Sequence, residues 1–484
     1  MAVNDRSAGY KIMEDKGSWD LISDLLGGTK AMRSAGEKWL PKETDEKTDN
    51  YNTRRNRSFL YNGFKDTITK CTARPFSRPV TYKVPEQLEE PMKPIIENMD
   101  GEGQHFQDFA REFFYTLVTW GITHGFVDYP KVPDKEGVTK KDEQDLQLRP
   151  INRIIRAPKL IGWKTEKGVN GIPKVVEIRI LEYVIEENEK WEQVRIEQIR
   201  VVKEGGYTIY RLDEKGKDWK VYDEGEMSVN GVKRLPLVTA YIEKQDLMIA
   251  FPPLLELAWA NLEHWQSLSD QKNILRFSRF GILLATGFTP EEVENGLTVA
   301  PTQAIFSTNK DAKLMFVEHT GQAVEAGEND IHSIEERMEV LGVQPMIQRL
   351  ANVKATGQAI NESKSRSQIE SWVDSANRAL EQILALNANW MGFPSTPDDF
   401  EVNIFQDFVF GTQTTQDIKD LIETRKLGEI SHETFIKELQ RYGRLSDDVD
   451  PQTELEKIGV EGPPAVQMFG QGQQRTQTTI GQGI

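Results

Sequence analysis

The hydrophobic period of this chain changes twice, and that change constrains the fold more than any other feature of the sequence. Up to about residue 130 apolar residues recur at three and four: Phe106, Phe109, Phe113, Leu117 and Trp120 form one helical face. From Pro150 to about Lys244 the period becomes two. Val176, Ile178 and Ile180 alternate with Glu177 and Arg179, and Val194 and Ile196 alternate with Arg195 and Glu197. Gly205-Gly206 and Asn230-Gly231 punctuate this region as turns, which predicts an antiparallel sheet with one face on a core. After Pro252-Pro253 the helical period returns. Helix, sheet and helix in separate blocks make this an α+β chain.

Finer landmarks follow from breakers and caps. A helix is expected over about Tyr51 to Lys70, before Pro75 and Pro79. The Phe106 helix is expected to run to near Gly125 and to be stopped by Asp128-Tyr129-Pro130. Leu254, Leu257, Asn261, Trp265 and Leu268 define a helix to about Arg279. Short β-like runs follow at 281–287, 304–308 and 313–319. Ile331, Ile334, Met338 and Leu341 mark another helix, and a longer one carries Ile369, Trp372, Ala376, Leu380, Ile383 and Trp390 before Gly392 and Pro394. Beyond the strand-like run 401–405, a helix pair is expected around 417–428 and 431–443. The Gln/Gly/Thr-rich tail is expected to be disordered.

The residues that chemistry would need are scattered. No G-x-x-x-x-G-K-[ST] is present, and Gly27-Gly28-Thr29-Lys30 lacks the first glycine, so no nucleotide-binding loop is indicated. Cys71 is alone, which excludes an internal disulfide and a cysteine-built zinc site. The six histidines (105, 124, 264, 319, 332 and 432) form no H-x-x-x-H pair. Asp398-Asp399 and the acidic run 446–450 read as solvated turns, and Asp100 as a turn before a helix. No cofactor or metal is expected. No run reaches the length of a membrane span, and the N-terminus carries charges where a signal peptide needs an apolar run. A net charge of −16 argues against tight phosphate-neutralising DNA binding but leaves room for a duplex that slides.

The segments 19–42, 51–80, 109–130 and 252–281 resemble those of the portal (head-to-tail connector) proteins of tailed double-stranded-DNA bacteriophages, and the order of elements is similar along nearly the whole chain. The resemblance implies a phage portal fold, divided as follows. Residues 1–252 would be an N-terminal wing, 253–279 a stem helix, 280–327 a small β-containing clip, and 328–347 a second stem helix. Residues 348–400 would hold a tunnel loop (348–362) and a long wing helix (363–392), with a helical crown at 401–460 and a disordered tail at 461–484.

It also implies a non-enzymatic virion protein of the head–tail junction, made in the host cytoplasm: a homo-oligomeric ring, usually of twelve subunits, through which double-stranded DNA is packaged and ejected. The terminase large subunit and a head-to-tail adaptor would dock at the clip, and the major capsid protein at the wing. In the tunnel loop, Asn352, Lys354, Gln358 and Asn361 could touch phosphates without dense positive charge. The alternatives are a phage DNA-processing enzyme (terminase or nuclease-like) and another virion ring component.

Overall fold

The computed structural model describes residues 2–130, 148–168, 170–187, 191–213, 216–280, 282–289, 309–317, 321–343, 368–406, 414–441, 445 and 449–461. These fall into two compact units, residues 1–406 and 407–484.

The first unit begins with helices α1 (Ala8–Lys16), α2 (Trp19–Leu26), α3 (Gly28–Ala35), α4 (Thr48–Arg57) and α5 (Gly63–Ala73). Two helices therefore occupy the span where one was expected from Tyr51 to Lys70. The break follows from local polar chemistry. At Ser58 the backbone turns extended, and Asn62 caps α5 by accepting the Lys65 N–H at 3.1 Å. The short strand β1 (Thr81–Lys83), α6 (Glu89–Glu97) and α7 (Phe106–Trp120) follow. α7 ends earlier than its apolar pattern suggests. Gly121 adopts φ +74 and closes the helix, and a Cβ there would lie 2.0 Å from the Phe251 carbonyl oxygen. The residues before Asp128 are then a strand, β2 (Ile122–Asp128), buried along almost its whole length.

β2 is the middle of a three-stranded antiparallel sheet, between β3 (Ile151–Arg156) and β9 (Leu237–Tyr241). A second antiparallel sheet is a meander of β4 (Leu160–Lys167), β5 (Pro173–Glu187), β6 (Gln193–Lys203), β7 (Gly206–Leu212) and β8 (Trp219–Glu226). The period-two block thus forms two sheets rather than one. Their shared core holds Phe126, Ile155, Leu160, Ile178, Ile180, Val202, Met227 and Met248. Arg200 ties the sheets together, meeting Asp128 at 2.7 Å and Glu182 at 3.0 Å. Asn230 and Gly231 take φ +50 and +71, as the tight turn between the bridged Val229 and Val232 requires.

Two long helices, α8 (Leu255–Phe280) and α9 (Gly321–Val343), are separated by the antiparallel strands β10 (Ile282–Thr286) and β11 (Lys313–Val317). α9 already begins within the segment 280–327 that was expected to precede it. The run expected at 304–308 lies outside the described residues. α10 (Gln368–Trp390) packs on α7 and on the β3-β2-β9 sheet, and Gly392 at φ +85 follows it. A side chain at Gly125 would lie 2.4 Å from Ile383 Cδ1, so with glycine there Ile383 of α10 packs directly on the β2 backbone. The helix is pinned further by a reciprocal amide pair, both members fully buried. Asn152 Nδ2 donates to Asn387 Oδ1 at 3.1 Å, and Asn387 Nδ2 donates to Asn152 Oδ1 at 2.8 Å. β12 (Glu401–Asn403) closes the unit by pairing with β1.

The second unit contains α11 (Thr414–Lys426), α12 (His432–Arg441) and α13 (Pro451–Glu461). Ser431 caps α12 by accepting the Thr434 N–H at 3.0 Å, and Asp450 caps α13 through the Thr453 N–H at 2.8 Å. The tail from 462 lies outside the described residues. Among the described residues no helix is long and apolar enough to cross a membrane.

Candidate functional site

The feature with the most specific geometry is the antiparallel pair α8–α9 with the β10–β11 hairpin between them in sequence. The root of α8 is sunk in the body of the first unit: Leu254, Leu257, Ala258, Leu262 and Trp265 are buried. Asn261, also buried, works as a two-way clamp. Its Oδ1 accepts the Phe64 N–H at 2.9 Å, and its Nδ2 donates to the Tyr61 carbonyl at 2.8 Å. Gln266 donates to the Trp39 carbonyl at 2.8 Å.

Arg54 of α4 completes the anchorage. Its guanidinium holds Glu46 through two nitrogens, at 3.0 and 2.8 Å, donates to the Pro41 carbonyl at 2.8 Å and reaches Asp270 of α8 at 3.2 Å. The hydrogen bonds from Arg54 hold the Glu46 carboxyl below its ordinary value, whereas burial pushes the Asp270 carboxyl up against the opposing pull of Arg54.

A polar ladder joins the two helices. Arg337 meets Glu263 at 2.6 Å, His264 Nε2 meets Glu335 at 3.2 Å, and Ser267 donates to Asp330 at 2.7 Å. Gln271 donates to the Val324 carbonyl at 2.8 Å. The numbers rise along α8 as they fall along α9, which sets the register. Gly327 permits the close approach, since a Cβ there would lie 2.1 Å from Gln271 Oε1. Ile334 and Met338 of α9 are buried. At the hairpin, Leu284, Leu314 and Met315 are exposed.

The two flanks of this pair differ in charge. On α9, Glu325, Glu328, His332, Glu336 and Glu339 recur at three and four residues on one exposed face, opposite Ile334 and Met338. On the other flank, α4 and α8 border a cleft of about 540 Å³ lined by Arg54, Arg57, Lys272 and Arg276 together with Ser58, Ser269 and Asn273.

The expected tunnel-loop residues Asn352, Lys354, Gln358 and Asn361 lie outside the described residues. The other candidates are held apart. Asp399 accepts the Thr396 N–H at 2.7 Å within a single 3-10 turn, and Asp100 accepts the Glu102 and Gln104 N–H groups in the turn before α7. His105 caps α7. Burial holds His124 neutral, pushed down to about 3, beside Thr239 at 2.9 Å. Burial likewise pushes the Cys71 thiol up to about 12, so it is not a thiolate near neutral pH. Among the described residues no three His, Cys, Asp or Glu side chains converge on a metal position.

Arg54, Asn261 and the cationic cleft escaped the sequence reading. Lys272 and Arg276 stand one turn apart and could have been paired from their spacing. Arg57 joins them only through the tertiary packing of α4 on α8.

Residues 253–391 match a family described as a domain of unknown function (DUF4055). No curated protein matches the chain. Among solved structures, a chain from the virion of a native gene transfer agent particle aligns with a TM-score of 0.40 at 12% identity, covering 86% of this chain and 98% of that one. A chain from the neck of an empty gene transfer agent particle, computed with C6 symmetry, gives 0.41 at 13% identity over 79% and 90%. One from the neck of the native particle, computed with C12 symmetry, gives 0.39 at 11% over 86% and 98%.

Proposed function

We propose that this chain is the subunit of a portal ring at one vertex of a tailed-phage head, a structural conduit for double-stranded DNA. The observation that carries the reading is the α8–hairpin–α9 unit. A 26-residue helix rooted in an α/β body leads to a two-stranded hairpin, and a 23-residue antiparallel helix returns. The sequence resemblance along 19–42, 51–80, 109–130 and 252–281 supports the same reading.

In it, α8 and α9 are the stem, the hairpin is the clip that meets the terminase large subunit and later a head-to-tail adaptor, and the body is the wing that meets the capsid protein. α10 is the long wing helix, the segment before it is the tunnel loop that carries Asn352, Lys354, Gln358 and Asn361, and the second unit belongs to the crown. A ring of identical copies needs heterologous contacts, in which one face of a subunit meets a different face of the next. The unlike flanks of the α8–α9 pair suit that requirement.

Negative-stain imaging and solution mass test the reading. Rings with a central hole and a mass near twelve times 55.3 kDa are the expected result. Closed dimers without a hole would overturn it, as would ATP hydrolysis or DNA cleavage abolished by substitution of Asp398 or Asp447.

A further inference from the structure

Beside the paired Arg54, three cations line one cleft whose own lining holds no carboxylate, although Arg276 also borders an adjoining cleft with Glu43, Asp45, Glu46 and Asp270. Arg57 from the last turn of α4, and Lys272 and Arg276 one turn apart on α8, are all exposed and make no ion pair among the described residues. Lys272 lies 5.6 Å over the ring of Phe59, itself exposed. The Ser269 hydroxyl beside them is buried with no hydrogen-bond partner among the described residues. Concentrating positive charge in this way is unfavourable unless an anionic group neutralises it, and the chain as a whole is at −16.

The complementary surface is on the same chain. Glu325 and Glu328 of α9 are exposed and make no ion pair among the described residues. They point away from α8, whereas the cleft is on the side of α8 that faces α4, so cleft and carboxylates occupy opposite flanks of the pair. Their heights along the pair are close. Ser267 bonds Asp330 and Gln271 bonds the Val324 carbonyl, so the stretch from Ser269 to Lys272 stands near the level of Glu325 and Glu328, with Arg276 about one turn further along α8. In the ring reading the axis runs along the pair, and rotation about it leaves height unchanged, which brings the carboxylates of one copy near the level of the next copy's cleft.

We propose that the Arg57–Lys272–Arg276 cleft of one copy receives Glu325 and Glu328 of a second copy, a heterologous contact that repeats around the ring. The proposal rests on the ring reading above and names the side chains that join its subunits. A second copy fits these observations better than a DNA phosphate, because acidic side chains lie at a neighbouring level and the net charge of the chain argues against tight phosphate binding.

The test uses the full chain, with particle mass measured by light scattering and mass photometry in about 0.1 M and about 0.5 M NaCl. Lys272→Glu/Arg276→Glu and Glu325→Lys/Glu328→Lys should each raise the concentration needed for assembly at least about tenfold, with unchanged circular dichroism. Mixed in equal amounts, the two variants should assemble again, because every reversed cleft then meets a reversed helix. That recovery cannot come from misfolded chains.

If the wild type forms rings and both variants form them equally well, the contact is overturned while the ring stands. A wild type that forms no ring overturns both. If Lys272→Glu/Arg276→Glu assembles normally but no longer binds a labelled short DNA duplex that the wild type binds, the cleft is a phosphate site and the proposal fails.

Discussion

Replacing Arg54 by methionine keeps most of the side-chain volume and removes the main charge that compensates Glu46, leaving only the weaker pull of Lys42. Both partners are almost wholly enclosed, with side chains 4% and 11% exposed, and the guanidinium supplies two of the carboxylate's hydrogen bonds. Removing one partner of such a pair strands the other charge, at a cost of about 3–5 kcal/mol. The contact with Asp270 adds less, because that side chain is only partly covered and its contact with Arg54 is a single one at 3.2 Å.

The pH dependence has a definite sign. In the wild type the Glu46 carboxyl is held below its ordinary value, so its contribution is complete above that value and is lost only as pH falls through the depressed one. In Arg54→Met, burial without the Arg54 guanidinium raises the same carboxyl. The variant then regains stability as pH falls from 7 toward 5, and the gap to wild type narrows. Urea unfolding followed by tryptophan fluorescence at both pH values measures the gap. Glu46→Gln/Arg54→Met should recover part of the loss and abolish the narrowing. A penalty below about 1 kcal/mol at pH 7, or one equal at both pH values, would refute the reasoning.

Other perturbations probe the body of the first unit. His124 is held neutral down to about 3, so the unfolded chain takes up this proton first, and wild type should lose roughly 2 kcal/mol between pH 7 and pH 5. His124→Asn should remove most of that slope in the same titration. Asn152→Ala and Asn387→Ala each strand a buried amide and should each cost about 2–4 kcal/mol, whereas the double variant should cost about 1–2 kcal/mol less than the sum; strict additivity in urea unfolding would contradict the pairing. Gly121→Ala combines a positive φ with a Cβ 2.0 Å from the Phe251 carbonyl oxygen, and should lower the thermal midpoint by several degrees or prevent soluble expression. A midpoint within one degree of wild type would show that the turn can relax.

Period and punctuation carried most of the secondary structure. The alternation in β5 marked the buried Ile178 and Ile180, although Glu177 between them is buried too and Val194 of the β6 run is exposed, and α10 was visible because its buried residues repeat at three and four. β2 was hidden for the opposite reason. It is covered on both faces, so Ile122 to Val127 shows no alternation and continues the apolar run of α7. The break between α4 and α5 was missed because it depends on polar partners, the Asn62 cap and the Asn261 clamp, and Asn261 is remote in sequence. The period-two block could not reveal two sheets, since strand alternation says nothing about which strands pair. At the candidate site, the α8–α9 pattern was legible, but Arg54, Asp270 and the Arg57–Lys272–Arg276 cleft arise from contacts across more than two hundred residues.

α8 is held fast from Asn261 to Asp270 yet continues to Phe280 without interruption. The span from Trp265 to Phe280 is about 22 Å at helical rise. A tilt of about 5° at the root therefore sweeps the far end through about 2 Å, comparable to the helix shifts that repack subunit interfaces. Motion in the body thus becomes displacement at the hairpin, and pressure on the hairpin becomes torque on Asn261 and Arg54. Those two residues act as a fulcrum as well as an anchor.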